Sequence, residues 1–271
     1  DSTENLNDYY QLHVRFETAD AMGANFINSC LEQLAKTLQD QAASYVPFLE
    51  HENQIEVVMS ILSNYVPGSR VKAWVSCPIL DLGDDGHLLA QKFVQAVQIA
   101  HQNPYRAVTH NKGIMNGIDA LAIATGNDFR AIEAGIHAYA AKDGQYRGLS
   151  KAWIKDETFW FELEVPLAVG TVGGLTKLHP MVKWSHELLQ SPNAEGLMQI
   201  IAVSGLAQNF AALRSLVTTG IQKGHMKMHL LNILNQMGAT EAEKQAMIEH
   251  FKTNVISFNA VEQALIAWRK I

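Results

Sequence analysis

The fold is decided by residues 103–135, NPYRAVTHNKGIMNGIDALAIATGNDFRAIEAG. This stretch places charged and polar side chains around four glycines, which is unusual for a plain core element. For any single residue, a polar helix N-terminus followed by a buried strand and a turn explains the pattern about as well as a functional site does. The set as a whole favours a site.

Two residues of opposite charge within the stretch could form an ion pair. Lys112 and Asp128 flank the apolar run 118–124. A buried lysine needs a carboxylate to stay charged, because desolvation lowers the pKa of a lone lysine. We therefore expect the first half of the stretch to fold back on the second, which would bring Lys112 to Asp128.

The flanking segments alternate between strand and helix patterns. On the N-terminal side, alternation of apolar and polar residues predicts a strand over Gln11–Glu17, and helical spacing predicts a helix over Ala21–Gln39. A second unit of this kind is indicated at Gln54–Leu62. A further strand is predicted over Arg70–Ile79, and a helix over residues 87–102 that Pro104 ends.

The C-terminal side predicts a hairpin and then helices only. Strand-like runs at 148–155 and 158–165 indicate the hairpin. Beyond Gly220 the helices are expected at 225–237, 240–251 and 260–270, the second opened by a capping box of Thr240 and Glu243. The expected fold class is α+β, with a small domain over 1–62, a larger, mainly helical domain over 63–219 and a helical appendage over 220–271.

Composition excludes several classes of protein. The 271 residues are 48% hydrophobic with a net charge of -6, which fits a folded chain without a basic nucleic-acid surface. Cys30 and Cys77 lack CxxC spacing, which favours a reduced cytoplasmic protein over a disulfide scaffold or a cysteine metal site. No apolar run approaches the roughly 18 residues of a membrane helix, and no export signal opens the chain.

Two glycine-rich turns have both a structural and a functional interpretation. At residues 20–25, DAMGAN, Asp20 could cap the following helix, or the backbone amides at the helix start could approach a pyrophosphate. The turn is not a GxGxxG fingerprint, so it does not predict a Rossmann fold. Residues 170–177, GTVGGLTK, lack P-loop spacing and are most simply a tight turn with a supporting role.

These motifs together resemble one enzyme family. THNKGIMNGIDALAIATGND at 109–128, DAMGAN at 20–25, VGG followed by Thr-Lys at 172–177 and GHM at 224–226 are similar to the class II, bacterial 3-hydroxy-3-methylglutaryl-coenzyme A (HMG-CoA) reductases. The resemblance implies catalytic roles for Lys112, Asp128 and His225. The implied substrate-binding residues are Arg106, Thr109, Asn116 and Gln208. The implied cofactor-binding residues are Asp20, Met22, Gly23, Ala24, Asn25 and Asn64.

The resemblance also implies a mechanism and an architecture. Two hydride transfers from NADPH or NADH, without a metal, would convert HMG-CoA to mevalonate and coenzyme A, a step of isoprenoid biosynthesis by the mevalonate pathway. Lys112 would stabilise the oxyanion, Asp128 would keep that lysine protonated, and His225, on a mobile C-terminal flap, would protonate the departing thiolate. The small domain would be ferredoxin-like, and a homodimer would form each site at its interface.

One family feature has no counterpart in the chain. Family members place a catalytic glutamate in a segment resembling ENVIG, upstream of the DAMGAN turn, and no segment of this sequence matches it. We therefore expect a C-terminal portion, with a separate N-terminal segment supplying the glutamate, and the cofactor is not resolved beyond NADPH or NADH. Two alternatives remain: an inactive fragment that binds coenzyme A or nucleotide, and an unrelated short dehydrogenase that shares glycine turns by chance.

Overall fold

The computed structural model describes residues 9–50, 55–218 and 221–269, and the side chains within these ranges except those of Glu50, Lys177 and 221–227. Ahead of Arg70 the described part contains two helices, α1 at Ala24–Ala42 and α2 at Val46–Glu50.

The predicted N-terminal strands are wrong. Over Gln11–Glu17 and over 55–62 the described chain has neither strand nor helix. Alternating side chains form a strand only where another strand accepts the backbone hydrogen bonds, and no such partner lies beside these segments in the described residues. The α+β class is nevertheless confirmed by the remainder of the chain, whereas a ferredoxin-like small domain stays a prediction.

A three-stranded antiparallel sheet forms one wall of the larger part. The strands β1 at Arg70–Pro78, β2 at Ser150–Lys155 and β3 at Thr158–Pro166 lie in the order β1-β3-β2. The hairpin prediction is confirmed, with Asp156 and Glu157 forming a two-residue turn at φ of 49° and 55°. Alternate residues of β3 point into the core: Phe159, Phe161, Leu163 and Val165.

Helices form the rest of the larger part, and several of them cover one face of the sheet. They are a 3-10 helix at Ile79–Leu82, α3 at Gly86–Gln102, α4 at Pro104–Ala124, α5 at Phe129–Ala140, α6 at Leu175–Leu178, α7 at Pro180–Leu188 and α8 at Ala194–Val217. Asn103 caps α4 by accepting a hydrogen bond from the Arg106 amide, and Pro104 occupies the first turn. The sequence therefore marks the boundary between α3 and α4 correctly.

Helix α4 runs without interruption for 21 residues. The predicted fold-back between Lys112 and Asp128 is therefore wrong, and so is the alternative of a buried strand at 118–124. Alanine occupies three of the seven positions in that run and favours helix, so the helix continues until Gly126 adopts a φ of +71°.

Helices α4 and α8 cross with almost no space between their backbones. A Cβ added to Gly117 would overlap the carbonyl oxygen of Ser204, and the Ser204 hydroxyl donates to the Gly117 carbonyl at 3.1 Å. On the facing helix, a Cβ on Gly205, the residue after Ser204, would lie 2.9 Å from the side chain of Ile118. The crossing fixes α4 against the core.

Gly117→Ala should destabilise the protein by about 2–3 kcal/mol, because a methyl group meets backbone that cannot yield. Gly113→Ala is the matched control on the same helix, since its nearest neighbour would be 3.9 Å away. That substitution should stabilise by up to about 1 kcal/mol through helix propensity. Urea unfolding of both variants measures the difference, and equal effects would contradict a close crossing at Gly117.

By length and composition alone, one described helix is apolar enough to cross a membrane, namely α8. Its apolar side chains Leu197, Ile201 and Leu213 are fully buried against the rest of the fold. These residues belong to the main core, and a third of the apolar window of α8 is buried.

The C-terminal helices have a hydrophobic core of their own. They are α9 at Ile221–Gln236, α10 at Glu241–His250 and α11 at Phe258–Arg269. Their buried apolar residues form a second cluster: Leu230, Ile233, Leu234, Ala239, Met247, Phe251, Val261 and Leu265. The capping box of Thr240 and Glu243 is confirmed, and the Glu243 carboxylate also pairs with Arg269 at 2.6 Å.

The stability of this C-terminal unit should depend on pH in the acid range. Hydrogen bonds from Arg269 and from the Thr240 amide lower the pKa of Glu243 to about 2. A depressed carboxyl pKa adds stability above its unfolded value of about 4.3, and that stability is lost as pH falls toward 2. Thermal melts at pH 7 and pH 3 should show the loss in the native chain but a smaller loss in Glu243→Gln. An equal loss of stability in the native chain and in Glu243→Gln would contradict the view that Glu243 causes the pH dependence.

Candidate functional site

Four predicted site residues form a stripe on one side of α4, which we call the α4 stripe: Arg106, Thr109, Lys112 and Asn116. Spacings of three, three and four residues place them on one helix face. Thr109, Lys112 and Asn116 are exposed, and the stripe is flanked by Tyr105, which is 90% exposed. The four residues, to which the resemblance assigned substrate binding or catalysis, therefore share one helix face, and their roles stay a prediction.

Two features of Arg106 suit it to bind an anion. Its side chain is half-buried, and partial burial lowers the pKa of its guanidinium. Within the described part of the chain, no carboxylate or other acceptor pairs with that guanidinium. A partly desolvated cation without a partner gains most from a carboxylate, whose two oxygens match its fork of donors.

Helix α8 contributes Gln208 beside the α4 stripe. A Cβ on Gly117, the residue after Asn116, would lie 2.8 Å from the Cγ of Gln208. The exposed Gln208 side chain therefore packs along α4, and the close crossing of the two helices brings it there. The predicted substrate residues share one surface.

Asp128 lies far from Lys112 within the chain. The Asn127 amide donates to the carbonyl of Ala122 at 2.8 Å, so the residue before Asp128 is held at the C-terminal end of α4. Ala122 is ten residues along the helix from Lys112, a separation of about 15 Å. One chain does not bring this lysine and this aspartate into contact.

In its own chain Asp128 caps helix α5. Its Oδ1 accepts from the amides of Arg130 at 3.1 Å and Ala131 at 3.3 Å, and the carboxylate pairs with the Arg130 side chain. Partial burial acts to raise the pKa of Asp128, but the hydrogen bonds from Arg130 and Ala131 outweigh it, and the pKa is lowered overall. Asp128 is therefore a carboxylate at neutral pH.

A further carboxyl group, Asp119, received no role from the sequence. One of its oxygens is buried and has no hydrogen-bond partner among the described residues. Burial, followed by the charge of Glu133 on α5, raises the pKa of Asp119 to about 6. This pair lies at the seam of α4 and α5 and does not belong to the α4 stripe.

The DAMGAN turn presents an uncapped helix N-terminus. Gly23 has a φ of +79° and precedes α1, and no side chain among the described residues caps the helix. The simple interpretation of Asp20 as the cap of α1 is wrong, because its Oδ1 accepts from the Ala194 amide at 2.8 Å and its carbonyl accepts from the Thr171 amide at 2.8 Å. The free first-turn amides of α1 suit a phosphate group.

Sequence reasoning missed the role of Asn127. Its side chain accepts from the Gly170 amide at 2.8 Å and donates to the Gly170 carbonyl at 3.1 Å. A Cβ on Gly170 would lie 2.5 Å from the Met22 amide nitrogen. Asn127 thus holds the glycine-rich loop against the DAMGAN turn, and the only sequence signal was an asparagine beside a glycine turn.

A small apolar cavity of about 60 Å³ gathers three of the predicted cofactor residues, Met22, Ala24 and Asn64. Helix α5 closes its other side with Ala131 and Gly135. The predicted residues Asp20, Gly23 and Asn25 do not line the cavity, and Asn25 is exposed.

The remaining predicted site residue is His225. Its backbone belongs to α9, and its side chain falls outside the described part of the structure. Among the described residues no group of three or more histidine, cysteine, aspartate or glutamate side chains could hold a metal ion.

Comparisons with known proteins agree on one family. A family model for hydroxymethylglutaryl-coenzyme A reductase matches residues 2–230. The chain is 41% identical over 241 residues to the 3-hydroxy-3-methylglutaryl-coenzyme A reductase of Archaeoglobus fulgidus, covering 88% of this chain and 52% of the relative. It is 36% identical over 257 residues to the probable reductase of Borreliella burgdorferi, covering 92% of this chain and 57% of the relative.

Solved structures give the same result. A Streptococcus pneumoniae reductase matches with a TM-score of 0.67 and 43% identity, over 93% of this chain and 59% of that one. A class II enzyme of the same organism, bound to NADPH in open conformations, matches with a TM-score of 0.67 and 44% identity, over 93% and 60%. The chain spans about half the length of the curated relatives that it matches. It belongs to the hydroxymethylglutaryl-coenzyme A reductase family.

Proposed function

We propose that this chain is the C-terminal, catalytic portion of an HMG-CoA reductase that converts HMG-CoA, two NADPH and two protons to mevalonate, coenzyme A and two NADP⁺. The observation that supports it most is the α4 stripe. It places the cations Arg106 and Lys112 on one helix face together with the hydrogen-bonding side chains of Thr109 and Asn116, and neither cation has an acidic partner among the described residues.

Each side chain has a task in this chemistry. Arg106 binds the distal carboxylate of the substrate, and the Lys112 ammonium stabilises the oxygen anion that forms when hydride reaches the thioester or aldehyde carbon. His225 gives a proton to the departing thiolate, which prevents the thiolate from attacking the aldehyde again. The nicotinamide cofactor, when bound, supplies the hydride.

The cofactor assignment rests on the fit of the DAMGAN turn. The uncapped amides at the start of α1 suit a pyrophosphate, and the neighbouring cavity is apolar. NADPH is the preferred candidate because the pneumococcal relative of known structure binds it. NADH is the second candidate, and absorbance assays with each cofactor distinguish them.

We also propose a homodimer in which Lys112 of one chain meets Asp128 of the other. The family resemblance implies that the two groups interact, and about 15 Å of helix separates them within one chain. The surface around the α4 stripe suits a partner, because Tyr105, Val108 and Ile123 are 90%, 55% and 57% exposed.

The missing glutamate would come from an N-terminal portion of the whole protein. Helix α1 supports such a portion, because it has no buried residue although Phe26, Leu34 and Leu38 share one face. We propose that the N-terminal portion covers this face. We also propose a cytoplasmic location, in keeping with the unpaired thiols of Cys30 and Cys77.

The test is an absorbance assay of NADPH oxidation by the full-length protein, with HMG-CoA and with free mevaldehyde. We expect both substrates to be reduced. His225→Ala should lower the rate with HMG-CoA by about 10²-fold while sparing free mevaldehyde, because only the thioester step releases a thiolate. An equal loss of rate with HMG-CoA and with free mevaldehyde would contradict the role of His225. Binding of coenzyme A without any oxidation of NADPH would support the inactive-fragment alternative.

A further inference from the structure

A buried chain of hydrogen bonds lies beneath the α4 stripe. His110 on α4 is 1% exposed, and its Nε2 lies 2.7 Å from the Ser150 hydroxyl on β2. That hydroxyl donates to Oδ1 of Asn209 on α8 at 2.8 Å, and Nδ2 of Asn209 faces the His110 carbonyl at 3.5 Å. These hydrogen bonds join α4, the helix of the candidate site, to the sheet and to α8.

The donor and acceptor directions of these hydrogen bonds fix the tautomer of His110. The His110 carbonyl only accepts, so it selects the NH₂ side of the Asn209 amide and leaves the amide oxygen facing Ser150. The Ser150 hydroxyl donates its only proton to that oxygen. It must therefore accept from His110, which makes the imidazole an Nε2–H tautomer with a lone pair on Nδ1.

This Nδ1 lone pair is the unusual feature. The atom is buried and has no hydrogen-bond partner among the described residues. Burial, followed by the charges of Arg106 and His101, lowers the pKa of His110 to about 3, so the ring stays neutral. Buried acceptors are nearly always satisfied, so a donor is expected close by.

Arg106 is the donor that the geometry offers. It precedes His110 by four residues on α4, so both side chains lie on the same helix face. His101 does not compete for Nδ1, because its Nε2 bonds the Ser150 carbonyl at 2.8 Å. Arg106 itself is half-buried, and its guanidinium has no acceptor in the described part of the molecule.

We propose that His110 is a positioning residue for Arg106, whose guanidinium donates to Nδ1 of His110 and is thereby aimed at the substrate carboxylate. The carboxylate part of this inference rests on the proposed function. A guanidinium has five donors in a rigid plane, so one bond to a fixed imidazole sets the direction of the others. Holding the fork in place before binding reduces the ordering cost of binding.

Nuclear magnetic resonance of the chain labelled with ¹⁵N-histidine tests the contact without any substrate. We expect His110 as the Nε2–H tautomer, unprotonated down to pH 5, with an Nδ1 resonance that moves in Arg106→Ala. Arg214→Ala, which removes an exposed arginine on α8, is the matched control and should leave the resonance in place. An Nδ1-protonated ring, or a resonance that Arg106→Ala does not move, would overturn the proposal.

Kinetics of the full-length protein test the consequence. His110→Gln keeps a donor for Ser150 and deletes the Nδ1 acceptor, so KM for HMG-CoA should rise about tenfold, with kcat changed less than about twofold. His137→Gln is the control. It replaces a histidine on α5 that hydrogen-bonds to Tyr146, outside the α4 stripe, and should leave KM unchanged. An unchanged KM in a folded His110→Gln variant would overturn the aiming role.

The two experiments separate the possible failures. If the wild-type protein does not reduce HMG-CoA, the proposed function fails, and the resonance experiment still decides the contact between His110 and Arg106. If His110→Gln does not fold, as a thermal melt would show, the Arg106→Ala resonance experiment decides the proposal alone.

Discussion

Lys112→Ala is expected to lower kcat by about 10³-fold with HMG-CoA and with free mevaldehyde alike. Both reductions place negative charge on an oxygen, and removal of one preorganised donor to an oxyanion costs about 10²–10³ in rate. Loss of a full positive charge lies at the upper end of that range. Stopped-flow absorbance of NADPH under single-turnover conditions measures the effect on hydride transfer itself.

Lys92→Ala is the matched control for this substitution. Lys92 is an exposed lysine on α3, outside the α4 stripe, so its removal changes the net charge equally without touching the site. Its rate should stay within about twofold of the wild-type rate, as for a surface substitution. If Lys112→Ala also kept most of its rate, an unrelated dehydrogenase would be the better description of this protein.

Mixing two inactive variants, Lys112→Ala and Asp128→Ala, is expected to restore about a quarter of the wild-type activity. When subunits exchange freely, half of the dimers are mixed, and each mixed dimer has one site with both residues intact. The restored sites combine Lys112 of one chain with Asp128 of its partner. Activity is measured before and after joint refolding of equal amounts of the two variants.

The reverse mixture provides the control. A variant with both substitutions, refolded with an equal amount of wild-type protein, should reduce activity from one half to about one quarter of the full value, because mixed dimers then have no intact site. Sites formed within one chain predict the opposite pair of results: no restoration in the first mixture and no loss in the second.

The parts of the fold that the sequence predicted are those with local signals. Pro104 marked the end of α3, and Thr240 and Glu243 marked the start of α10. The strand over Gln11–Glu17 was wrong because alternation shows only which side chains share a face. Whether a strand forms depends on a partner elsewhere in the chain.

The same distinction applies to the candidate site. The family resemblance named Arg106 and Lys112 together, and both lie on α4. It gave no sign that Asp20 would bond the Ala194 amide, 174 residues away, or that Asn127 would clamp Gly170. The fold-back expected for Lys112 failed because it assumed that a buried lysine finds its carboxylate in the same chain, whereas this lysine is exposed.

The second hydrophobic cluster has a consequence for how this protein evolves. The main core and the cluster of α9, α10 and α11 have no residue in common, so a substitution at Leu234 or Val261 removes packing directly from its own cluster. Effects on stability at sites without shared neighbours add independently. The buried residues of the C-terminal helices can therefore accumulate compensating changes among themselves, whereas His225 on α9 stays under the constraint of the proposed site.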